Sequence, residues 1–106
     1  MPLPGLDIEP TTDADGAWIR LRGEADITTY EQLVAGLAAV HVDGRQVVHV
    51  DLSGLEFCDA RSLCHILVFT RGVRRNGDNV VVHGANSMVL KMINLFGVED
   101  QPKLAA

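Results

Sequence analysis

The sequence predicts an α/β domain built on a mixed β-sheet. Its elements run in the order β-β-α-β-α-β-α, with helices mainly on one face. Three observations carry this expectation. Short stretches alternate apolar and polar residues with the period of a strand, as in Val48, Val50 and Leu52 against His49 and Asp51. Between them lie stretches with apolar residues at i, i+3, i+4 and i+7, the stripe of a helix that packs by one side. Finally, polar residues recur on one side of the strands: Arg20 and Arg22 on one, His49 and Asp51 on another. A sheet covered by helices on both faces would show near-continuous apolar strands instead.

Leu6 and Ile8, separated by Asp7 and flanked by Glu9, predict a short first strand. The turn-rich TTDADG follows, with Asp15-Gly16 as its hairpin signal. A second strand is expected over about 17–23, with Ile19 and Leu21 on one side and Trp18, Arg20 and Arg22 on the other. Thr28 predicts a helix N-cap, with Glu31 as its capping-box partner. Tyr30, Leu33, Val34 and Leu37 then form the packing stripe, and VDGR closes the helix. QVVHVDL is the clearest strand. The second helix should start near Asp59 and run to about Arg75, with Asn76-Gly77 as its stop. NVVVHG is the last expected strand. Asn86 or Ser87 caps a third helix in which Val89, Met92, Ile93 and Phe96 face inward, and Gly97 ends it. After the initial hairpin, β-α-β connections should be right-handed crossovers between parallel strands. QPKLAA reads as a frayed tail.

The 106 residues suit one domain, residues 1–106, with its core over about 6–99. A hydrophobic content of 47 % is that of a globular chain. The net charge of −5 argues against nucleic acid as a partner, because phosphate backbones select basic surfaces. No run of roughly 18 apolar residues is present, so no membrane span is expected. MPLPGLDIEP lacks the basic and apolar regions of a signal peptide. Cys58 and Cys64, without secretory context, read as free thiols in a cytoplasmic protein. Their plain reading is small apolar filler; a redox pair would need Cα atoms within about 7 Å.

In such a sheet, the loops after the C-terminal ends of parallel strands gather at one edge, where ligands bind. Gly23–Asp26, Ser53–Asp59 and His83–Ser87 are the three such loops. Asp26 and Asp59 are therefore expected near one another, with the start of the second helix between them. Free N–H groups and a partial positive charge favour an anion there. Each carboxylate also has a plainer role, Asp59 as an N-cap and Asp26 as a loop residue near a helix start. Arg61, Arg71, Arg74 and Arg75 make the second helix basic, either as a solvated face or as a dock for an acidic partner. His49 and His83 fall on one open sheet face, but two histidines make a poor zinc site, so no metal is expected. The chain shows neither a Ser-His-Asp arrangement nor a Gly-rich phosphate loop, so neither enzyme nor cofactor is expected.

Three segments carry a family resemblance. LRGEADITTYEQLVAGL resembles a segment with a Gly-Glu-x-Asp signature before a first helix. VVHVDLSGLEFCDARSL resembles a strand followed by Asp-Leu-Ser-Gly, an aromatic residue, and an Asp before the second helix. NVVVHGANSMVLKMINLFGVED resembles the final strand and helix with its closing glycine. Together they resemble the STAS domain, the sulfate transporter and anti-sigma factor antagonist fold, over about Leu6 to Glu99. A stand-alone domain of this length most resembles bacterial anti-sigma factor antagonists.

That resemblance implies a cytoplasmic regulator of transcription. It would bind an anti-sigma factor of the serine-kinase type through Asp26, Asp59, Ala60, Arg61 and Ser62, in a partner-switching pathway. In the family, the kinase phosphorylates a Ser or Thr at the start of the second helix, and the added charge breaks the complex. The family typically reads Asp-Ser-Ser/Thr-Gly-Leu there. Aligning Asp59 and Leu63 puts Ala60 and Arg61 on the two hydroxyl positions and Ser62 on the glycine. Arginine cannot accept a phosphoryl group, which leaves two readings: no phosphorylation switch, or Ser62 as a substitute acceptor. The other function compatible with the sequence is a non-catalytic STAS subunit of a transport or larger signalling complex. The sequence leaves a homodimer open.

Overall fold

The computed structural model describes residues 5–42, 44, 46–95 and 103–105. The elements are β1 (Leu6–Asp13), β2 (Gly16–Ala25), α1 (Tyr30–Ala38), β3 (Val47–Cys58), α2 (Ala60–Arg75), β4 (Asn79–His83), α3 (Ser87–Leu95) and β5 (Lys103–Leu104). The strands form one sheet in the order β1-β2-β3-β4-β5. The β1–β2 hairpin is antiparallel, and the β2–β3, β3–β4 and β4–β5 pairs are parallel. The mixed sheet expected from the sequence is thus present.

The alternation read from the sequence sorts the strands into two faces. Ile19, Leu21, Val48, Val50, Leu52, Val80 and Val82 are buried and join one apolar cluster. Leu33 and Leu37 of α1, Leu63, Ile66 and Val73 of α2, and Val89 and Ile93 of α3 complete it. Burying a side chain of this kind stabilises the fold by about 1.5–3 kcal/mol, so the cluster holds the helices on that face. Trp18, Arg20, His49, Asp51 and His83 lie on the opposite face, each half-buried.

α2 matches its sequence expectation closely. Asp59 has extended backbone and its carboxylate accepts the Ser62 N–H at 2.7 Å, the geometry of an N-cap. Arg74 and Arg75 sit in the last turn, favourable to the helix dipole, and Gly77 follows with φ of +97°. In α3 the cap is Asn86, whose side-chain oxygen accepts the Val89 N–H at 2.9 Å.

Four expectations change. The N-cap of α1 is Thr29, not Thr28, and it makes no side-chain capping bond. The Thr28 N–H and hydroxyl instead donate to the Asp26 carboxylate at 2.9 and 2.6 Å, which turns Thr28 back toward Asp26 and away from the helix, so the Thr28–Glu31 capping box does not form. The loops expected at Gly23–Asp26 and Ser53–Asp59 are mostly strand, because β2 and β3 stay paired to Ala25 and Cys58 through two register shifts. β1 extends to Asp13, so the hairpin turn is shorter than TTDADG suggested. The tail is not frayed at Lys103–Leu104, which pairs with Val81 and Val82, and the Ala105 N–H donates to the Val82 carbonyl. Unpaired backbone groups of β4 supply that template. Phe96 and Gly97, expected to close α3, lie outside the described residues, as do Asp43 and Arg45 of VDGR.

Candidate functional site at the start of the second helix

The site forms where β2 and β3 end side by side. Ala25 pairs with Cys58, and the Asp59 N–H donates to the Ala25 carbonyl at 2.9 Å. This bond ties the start of α2 to the end of β2, so Asp26 and Asp59 follow directly from adjacent strand ends, as the sequence predicts. Gly84 closes the third strand end with φ of +72°. A Cβ there would meet Ser53 backbone at 2.5 Å, so glycine lets the β4 exit pass close to β3.

Asp26 organises the loop into α1. Its carboxylate is held below the usual range, chiefly by the Thr28 hydroxyl; burial opposes this, and backbone hydrogen bonds from Thr28 and Thr29 add to the lowering. Thr29 turns backwards, donating its hydroxyl to the Glu24 carbonyl and accepting the Asp26 N–H. Asp26 is therefore an anionic clasp for this loop. Ile27 projects beside it, 78 % exposed.

The five residues singled out at this edge separate into distinct environments. Asp59 is half-buried and spends one oxygen on the cap. Ala60 and Arg61 are exposed. Ser62 is 0 % exposed, and its hydroxyl oxygen has no hydrogen-bond partner. A buried hydroxyl without a partner costs roughly 1–3 kcal/mol. Thr70, two turns further along the same buried stripe, avoids that cost by donating to the Leu67 carbonyl at 2.8 Å.

The sequence places Tyr30 only in the α1 packing stripe. In the structure it is the contact between α1 and the site. The Arg61 guanidinium lies 3.8 Å from its ring centroid, and His65, one turn on, meets the ring edge-on at 5.8 Å. The i, i+4 spacing of Arg61 and His65 signals a shared helix face, but only the packing of α1 on α2 supplies the ring between them. Ile27, Thr28, Tyr30, Glu31, Val34 and Arg61 line an open groove of about 650 Å³. It offers apolar surface and a fixed cation, with the Glu31 carboxylate on the α1 side.

Cys58, just before the cap, is buried, and burial followed by the neighbouring Asp59 charge pushes its thiol up to about 11. A thiol so rarely ionised is a poor nucleophile. Cys64 is an exposed free thiol. No group of three or more metal-ligating side chains occurs among the described residues, and no described helix is long and apolar enough to cross a membrane.

Comparison with known proteins fits this geometry. A family model described as "Mlab, STAS domain" matches residues 9–105. The anti-sigma-B factor antagonist of Staphylococcus epidermidis is 24 % identical over 95 residues, covering 90 % of this chain and 88 % of that protein. Among solved structures, the anti-sigma-factor antagonist (STAS) domain protein from Planctomyces limnophilus superposes with a TM-score of 0.73 at 17 % identity, over 99 % of this chain and 92 % of that one. The anti-sigma factor antagonist SpoIIAA, in its unphosphorylated form, gives 0.67 at 18 % identity, over 96 % and 88 %. With nearly the whole sequence matched and the mixed sheet, the three helices and the capped start of α2 in place, the chain belongs to the STAS domain family.

Proposed function

We propose that this protein is a non-catalytic regulator of the anti-sigma factor antagonist type. It acts in the cytoplasm, binding an anti-sigma factor of the serine-kinase type through Asp26, Asp59, Ala60 and Arg61, and it is not switched by phosphorylation at this edge. The observation that carries the reading is the state of α2's first turn. Arg61, on the family's acceptor position, lies over Tyr30, and Ser62, the nearest hydroxyl, is wholly buried. Phosphorylating Ser62 would require the first turn of α2 to open, and the product would place about two negative charges in an apolar site. The relatives named anti-sigma-B factor antagonist support the partner class.

The test is to mix the protein with candidate anti-sigma kinases, with and without Mg-ATP, and to measure complex formation and intact mass. Binding without a phosphate mass shift is expected. A shift mapped to Ser62 overturns the unswitched reading. Arg61→Ser, which restores a hydroxyl at the acceptor position, should become a substrate of a kinase that docks. A second reading, a STAS subunit of a transport or larger signalling complex, draws on the same observation, since a fixed cation suits a permanent contact. Absence of binding to every such kinase shifts the assignment to it.

A further inference from the structure

The open face of the sheet carries a cluster that plays no part at the α2 edge. His49 Nδ1 and His83 Nε2 are 2.8 Å apart, a hydrogen bond between two imidazoles on adjacent strands. Trp18 stacks on His49 with ring centroids 4.2 Å apart, and lies 4.7 Å from His83. The tryptophan is itself held, its indole N–H donating to Asp13 at 3.2 Å and the Arg20 guanidinium lying 4.7 Å from its ring.

Proton accounting limits what this pair can do. His49 Nε2 is 3.0 Å from the Asp15 carbonyl, which can only accept, so Nε2 carries a hydrogen. With His49 neutral, its Nδ1 is bare and accepts from His83 Nε2–H. A first added proton can sit on the outer nitrogen of His83 and leave the bond intact. A second must occupy His49 Nδ1, the lone pair that accepts the bond. Both facing nitrogens then carry hydrogens and both rings are cationic, so the contact cannot persist.

We propose that the His49–His83 pair is a proton-operated contact: it tolerates one positive charge, and uptake of a second breaks the bond and releases His83 from Trp18. The charged groups around it set where this happens. Asp51 pairs in register with His83, and Arg20 approaches Asp51 at 3.9 Å. Lys103 of β5 lies in register with Val81, which itself pairs with His49. Asp13 and Asp15 close the hairpin end, and Glu9 pairs with Arg20 across the sheet. Burial, followed by the charge on His49, lowers His83 from the ordinary 6.5, with Asp51 opposing. The first proton, on His83, is therefore taken up on the acid side of ordinary histidine titration, and the second, which breaks the bond, follows it.

Trp18 is the chain's single tryptophan, so its emission reports this face alone. The intact protein is titrated from about pH 8 to about pH 5, following Trp18 emission, imidazole ¹⁵N–¹H correlations and far-ultraviolet circular dichroism. At the alkaline end both histidines should be Nε2–H tautomers. On acidification, Trp18 emission should step together with the second protonation of the pair, while backbone dichroism stays unchanged. His83→Gln keeps an N–H donor toward His49 but cannot become cationic, so the step should disappear. His49→Gln should abolish it too, which keeps the test sound if one variant misfolds. His41→Gln and His65→Gln should retain the step. Persistence of the step in both His83→Gln and His49→Gln overturns the proposal. So does independent titration of both rings at the ordinary value with flat emission.

Discussion

The start of α2 and the open sheet face each place an arginine over an aromatic ring, Arg61 on Tyr30 and Arg20 on Trp18. Their surroundings then diverge. At the α2 edge the neighbours are a carboxylate engaged in capping, a buried serine and a groove of mixed polarity. On the sheet face they are two hydrogen-bonded imidazoles with a carboxylate beside them. The first region is built on one cation and one capping carboxylate, with a single imidazole, His65, at the ring's edge. The second is built on two imidazoles that share one hydrogen bond, the arrangement proposed above to respond to acid. Among the described residues the helices pack on the sheet face opposite the imidazole pair, which keeps the two chemistries apart.

The largest expected effect comes from forcing charge into the dry edge. Ser62→Glu should cost about 3–5 kcal/mol, the range for a buried charge without a partner, read as a lowered midpoint in urea unfolding. A cost below about 1 kcal/mol, the size of an exposed change, would mean that the first turn of α2 opens readily, and the contrast with the sheet face would collapse. Asp59→Ala removes the cap and should cost about 1 kcal/mol by the same measurement. Asp59→Asn should restore most of it, since an amide oxygen can also accept the Ser62 N–H.

Acidification should separate the regions without mutation. His83 binds its proton less readily in the folded state, so the unfolded chain holds more protons below 6.5. Stability is complete above that value, falls as pH drops through the folded-state value, and then levels off. His83→Gln should flatten this slope in unfolding measured at a series of pH values. Asp26 and Asp51 act in a separate, more acidic window, because both are lowered from 3.8. For Asp51, burial alone would raise the carboxyl; hydrogen bonds from Ser53, followed by His83 and Arg20, outweigh it. Their stabilisation is present above 3.8 and is lost as pH falls through the lowered values. The smallest effect is expected of Ser62→Ala, neutral to slightly stabilising because it removes a hydroxyl that has no partner. A loss above about 1 kcal/mol, the net worth of a typical hydrogen bond, would indicate one that forms in solution.

The α2 cap was legible because it is local: an acidic residue, a short spacing and an apolar stripe place Asp59 without reference to the rest of the chain. Thr28 misled for the complementary reason. Its capping pattern is equally local, but Asp26, two residues back, draws the Thr28 N–H and hydroxyl to its carboxylate, and the helix starts one residue later. The strand-like end of β3 was hidden because Ser53-Gly54 reads as a turn and the alternation of Leu55, Glu56 and Phe57 is short, and pairing with β2 supplies its order. Lys103–Leu104 was hidden likewise, since two residues carry no period and only the free edge of β4 gives them a partner.

By itself the sequence determined the order of the first seven elements, the polar face of the sheet, the capped start of α2 and an arginine in its first turn. These follow from residue type and short-range periodicity, which act before the chain is assembled. Tertiary structure alone decided that Ser62 is sealed without a partner, that Tyr30 sits between Arg61 and His65, and that His49 faces His83 with Trp18 stacked upon them. Each of these depends on residues far apart in the chain. Their contact is set by sheet register and by the packing of α1 on α2, which no local spacing encodes.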